Sequence, residues 1–128
     1  MTIPQTMTCI EITEPGKPEV LKPATRDVPA PGAGDVLIRV EVAGVNRPDV
    51  AQRAGVYPPP PGASDLPGLE VSGTIAALGE GVSGLAVGDQ VCALTPGGAY
   101  AEYCVTSAAQ CLPWPKGYDA LQAAALPE

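Results

Sequence analysis

A glycine or a proline falls every few residues: 15 glycines and 16 prolines stand among 128 positions. Such punctuation permits only short regular elements joined by many turns, and in a polar chain it would mark a low-complexity segment. Here 45% of the residues are hydrophobic and the net charge is only −7, so enough apolar surface is available to offset the entropy of ordering. The length suits one domain with a modest core.

Between the turn formers, apolar residues recur with period two. MTCIEIT (7–13), Val20 to Asp27, DVLIRVEVAGV (35–45), SGTIAALG (72–79), DQVCAL (89–94) and AYAEYCVT (99–106) read as strands, each bounded by Gly, Pro or Asp. Turn signals every eight to twelve residues are the pattern of a small sandwich or barrel. Two short helices interrupt it. Asn46 to Ala54 has an Asn cap, Pro48 in the first turn, Asp49 three residues on and Gly55 as a stop. DALQAAALPE (119–128) opens with Asp119 and is still helical in pattern at its last residue, which is expected of a chain that continues in a longer parent.

Composition narrows the partners. Seven basic residues stand scattered among fourteen acidic ones, which offers no footprint for a phosphate backbone, so nucleic acid is not expected. No apolar run approaches a membrane span and the N-terminus has no signal-peptide pattern; the expectation is a soluble cytoplasmic protein. Cys9, Cys92, Cys104 and Cys111 contain no C-x-x-C pair and read as reduced and mostly buried, with a four-cysteine zinc site the minor alternative. The absence of histidine removes the commonest general base and metal ligand, and with it Ser-His and Cys-His nucleophiles.

Three motifs each have a structural and a functional reading. Gly79, Gly81 and Gly84 spell G-x-G-x-x-G after a strand, but the next residues make a turn and another strand. No helix N-terminus is available to receive pyrophosphate, and a glycine-rich β connection is expected. The four prolines at 58–61 lack flanking basic residues and read as a stiff loop rather than as a peptide ligand. Asn46 and Asp49 form a helix cap that could also line a cleft, and Tyr57, at the loop root, could donate to a carbonyl or pack its ring. Glu70 is either a solvated turn residue or a buried carboxylate, with Arg39, Arg47 and Arg53 as possible partners. Tyr100, Glu102 and Tyr103 share a strand in this reading, the tyrosines as packing residues.

In this order, AGVNRPD, GVYPPPPG, PGLEVSG, GVSG…VGDQV and GGAYAEYCV resemble the N-terminal GroES-like catalytic domain of the medium-chain dehydrogenase/reductase superfamily, most closely its zinc-free quinone oxidoreductases. The resemblance implies a mainly β, partly open barrel with short helices over residues 1–128, the Rossmann domain that binds NADPH lying outside this chain. It implies hydride transfer from NADPH to a quinone or related α,β-unsaturated carbonyl, and a homodimer as the full-length enzyme. Asn46, Asp49 and Tyr57 take catalytic positions on the cleft wall, and Arg47, Leu69 and Glu70 line the cleft. Zinc members of the superfamily carry Cys and His where this chain has Asn46 and Leu69, so no metal is expected. An enoyl-thioester reductase of the same superfamily and a non-catalytic GroES-like interaction module are the alternatives.

Overall fold

The computed structural model describes residues 2–128. Its elements are β1 (Thr6–Ile12), β2 (Leu21–Asp27), β3 (Asp35–Ala43), α1 (Arg47–Ala54), β4 (Glu70–Leu78), β5 (Gln90–Leu94), β6 (Tyr103–Ser107), β7 (Cys111–Pro113) and α2 (Ala120–Ala124). β1 and β2 form an antiparallel ribbon, and the other strands form an antiparallel sheet in the order β6-β3-β4-β5-β7.

The sheet curls because its chain demands it. β6 and β7 lie on opposite edges, yet only residues 108–110 separate them. A flat five-stranded sheet would hold its edges about 19 Å apart, whereas four residue steps reach at most about 14 Å. Register shifts at Leu37/Ile38 and between Val40 and Val42 supply the extra twist. The curl brings β6 against β5, where Thr106 Oγ1 donates to the Leu94 carbonyl at 2.8 Å. The barrel stays open, with no ladder between β6 and β7 among the described residues.

Period-two alternation then sorts the core into two faces. Val36, Ile38, Val71, Ile75, Val91, Ala93, Ala99 and Cys104 fill the inside of the curl. Leu37 and Ala76 point the other way, where Met7 and Cys9 of the ribbon cover them together with Leu66 and Tyr103. A single bridge from Cys9 to Ala101 ties the ribbon to the segment before β6.

Several expected boundaries move. The strand expected over 99–106 starts only at Tyr103, because residues 99–102 bend to bond β1 and the Pro67 carbonyl instead of β3 alone. β7 has three residues and includes a proline, too short to show alternation. α2 ends at Ala124, short of the expected 128, since Pro127 disfavours helical backbone at the residue before it. The Gly79–Gly84 segment connects β4 to β5 with Gly81 and Gly84 at positive φ, and no helix follows it. All four cysteines are free thiols; Cys9, Cys92 and Cys104 are buried, and burial pushes Cys104 and Cys111 up to about 11.

Candidate functional site

The end of β3, the start of α1 and the start of β4 meet at one end of the sheet's strands. β3 stops at Ala43, and the chain crosses Gly44 and Val45 to Asn46, which caps α1 in an extended conformation. Gly44 is required here because a Cβ would fall on the Glu70 carboxylate. Asp49 turns back to accept from the Asn46 backbone N–H through Oδ2 at 3.0 Å, and Gly55 closes the helix in the left-handed region. α1 thus begins and ends where the sequence placed its signals.

Glu70 is 5% exposed and pairs with no arginine. Its Oε1 accepts from Asn46 Nδ2 at 2.9 Å and its Oε2 from the Glu128 backbone N–H at 2.8 Å. The three arginines proposed from sequence lie elsewhere; Arg53 donates to the Gly16 carbonyl and Arg47 is exposed. The paired cation is Arg26, which bridges Glu11 at 2.7 Å and Asp65 at 2.7 Å and so ties β2 to the proline loop. Because a carboxylate only accepts, Glu70 fixes the Asn46 amide with its nitrogen inward and leaves its second N–H and its Oδ1 for other partners.

Asp49 is also 5% exposed, and the residue that satisfies it comes from outside the expected set. The Tyr100 hydroxyl donates to Asp49 Oδ2 at 2.7 Å, while Asp49 Oδ1 is buried without a partner among the described residues. Burial first, and the adjacent carboxylate second, push the Tyr100 phenol above its ordinary range. Sequence reading assigned Tyr100 to packing; no local signal marks a partner 51 positions away. Tyr103 is a packing residue, 7% exposed in the outer core face.

Beside this polar seam opens a cavity of about 740 Å³, walled by Pro48, Tyr57, Leu66, Leu69, the Thr95–Gly98 turn and residues of β6. Tyr57 is 47% exposed, and its hydroxyl has no partner among the described residues. The expected site residues therefore divide. Tyr57 and Leu69 line the cavity; Asn46, Asp49 and Glu70 form the seam behind Pro48 and Leu69; Arg47 stands outside both.

The sequence of residues 32–116 matches the model of the alcohol dehydrogenase GroES-like domain. The chain belongs to that family. It is 40% identical over 122 residues to the quinone oxidoreductase of Rattus norvegicus, covering 94% of this chain and 37% of the relative. The human synaptic vesicle membrane protein VAT-1 homolog-like protein superposes with a TM-score of 0.86 at 31% identity, over 93% of this chain and 38% of the other. A mycobacterial protein solved in complex with NADPH superposes with a TM-score of 0.81 at 37% identity, over 92% and 37% of the two chains. This chain thus spans little more than a third of the length of these relatives, as a GroES-like domain of the medium-chain dehydrogenase/reductase superfamily does.

Asn46 turns an amide nitrogen to Glu70, Leu69 is a hydrocarbon, and no group of three or more Cys, Asp or Glu side chains converges among the described residues.

Proposed function

We propose that this chain is the substrate-side domain of an NADPH-dependent, zinc-independent oxidoreductase that reduces quinones or related α,β-unsaturated carbonyls. The observation that carries the reading is the cavity wall itself. A half-exposed tyrosyl hydroxyl without a partner among the described residues lines a largely apolar pocket, and an amide fixed by a buried acid stands in the seam behind it, in a chain 40% identical to a quinone oxidoreductase.

NADPH, held mainly by a domain outside this chain, supplies the hydride when bound. The residues here prepare the acceptor. As hydride adds to the electron-poor carbon, negative charge gathers on the carbonyl oxygen, and the Tyr57 hydroxyl donates to that oxygen and then gives up its proton. The free N–H of Asn46 offers a second donor in a direction set by Glu70. Leu66 and Leu69 keep water from the reacting face.

The test is NADPH consumption by the full-length protein against a panel of quinones, enones and enoyl thioesters, with metal analysis of the same sample. Turnover with quinones or enones and substoichiometric zinc is expected, and Tyr57→Phe lowers turnover at least tenfold. A preference for enoyl thioesters would move the substrate class; inertness toward the whole panel, or one zinc per chain required for turnover, would overturn the reading.

A further inference from the structure

We propose that Tyr100 is a positioning residue for the reduction: acting through Asp49, it fixes the main chain at Asn46, so that the amide meets the substrate in one orientation. The inference rests on the function proposed above and adds to it a residue that does not itself line the cavity.

Asn46 is held twice. Glu70 fixes its side-chain amide, and Asp49 fixes its backbone N–H. Asp49 has no side-chain donor other than Tyr100 among the described residues, and its other oxygen is buried without a partner. The orientation of that carboxylate is therefore set by two donors, the Asn46 backbone N–H within the cap and one phenolic hydroxyl from outside it. Tyr100 is itself well anchored: its backbone N–H donates to the Pro67 carbonyl at 3.0 Å and its carbonyl accepts from Ile10 at 2.9 Å. Its ring packs against Gly68, where a Cβ would come within 2.6 Å of it. One residue thus braces the start of α1 against the turn that leads into Leu69 and Glu70. Because the phenol stays protonated well beyond neutral pH, the donor is present at any working pH.

The experiment is a double-mutant cycle in the full-length enzyme, reading kcat and KM for quinone in wild type, Tyr100→Phe, Asp49→Asn and the double variant. Tyr100→Phe is expected to lower kcat about tenfold with KM within about twofold. The double variant is expected to be no slower than the slower single, because both changes release the same amide. Ser72→Ala removes a buried hydroxyl that donates to the Ala120 carbonyl away from the wall. It controls for simple loss of stability: it should lower the melting temperature and leave kcat in place. Tyr100→Phe at wild-type kcat, or effects that multiply in the double variant, would overturn the proposal while leaving the substrate reading intact if Tyr57→Phe is slow. A wild-type enzyme inert to every quinone and enone would instead sink the substrate reading. If Tyr100→Phe does not fold, Asp49→Asn alone decides: kcat must fall with KM held.

Discussion

Asn46 and Tyr57 flank the two ends of α1, and the fold treats them in opposite ways. Asn46 is clamped by two buried acids, one on its main chain and one on its side chain. Tyr57 is nearly half exposed, with a hydroxyl bound to nothing among the described residues, on a loop stiffened by four prolines and tethered at Asp65 by Arg26 and Gln52. Side-chain hydrogen bonds hold the first residue; backbone stiffness and a distant ion pair hold the second. On the function proposed above, the donor that must keep one direction is built into the buried seam, and the donor that must meet and release a proton is left facing open space.

Changes in the seam should therefore cost stability, and changes at Tyr57 should cost only turnover. Gly44→Ala is expected to have the largest effect, about 3 kcal/mol or more by chemical denaturation, because the new methyl and the Glu70 carboxylate claim the same space. A variant of parental stability would mean that Glu70 has a second resting place and that the clamp is not needed for folding. Glu70→Gln keeps the volume but sets an amide nitrogen against one of two N–H donors, which should cost about 1–3 kcal/mol. Tyr57→Phe should change stability by no more than about 0.5 kcal/mol; a larger loss would give the hydroxyl a structural partner and blur the contrast.

The smallest expected effect is at the loop tether. The Arg26 guanidinium beside Asp65 holds that carboxyl below its usual range, so the folded chain binds its proton less readily than the unfolded chain. The stabilisation is present above the ordinary carboxylate pKa of about 4 and fades as pH falls through the lower folded value. Asp65 is 71% exposed, so solvent screening limits the contribution to about 0.5 kcal/mol. Asp65→Asn should lose that much at pH 7 and converge with the parent in acid; no difference at pH 7 would assign the tether to Gln52, whose bond to the Asp65 main-chain carbonyl the variant keeps.

The strands could be read from the sequence because period-two alternation and turn residues act locally, and α1 could be read because Asn46, Pro48, Asp49 and Gly55 each act within one turn. Boundaries failed where distant contacts took over. Residues 99–102 left the expected strand to bond β1 and Pro67, and β7 is a ladder of three residues paired with β5. Motifs singled out Asn46, Asp49, Tyr57 and Glu70 as site candidates, and the family resemblance added Arg47 and Leu69. Their grouping into a buried seam and an open wall was not legible, and neither were the Asn46 partner of Glu70 and the Tyr100 partner of Asp49.

By itself, then, the sequence determined a mainly β chain of short elements, a capped helix after β3 and the residue types available to a donor site without histidine. The tertiary structure alone decided which of those residues are held and which are free. Hydrogen-bond partners 24 and 51 positions apart become neighbours only when strands pair and the chain folds back on itself, and neither alternation nor capping carries information over that distance.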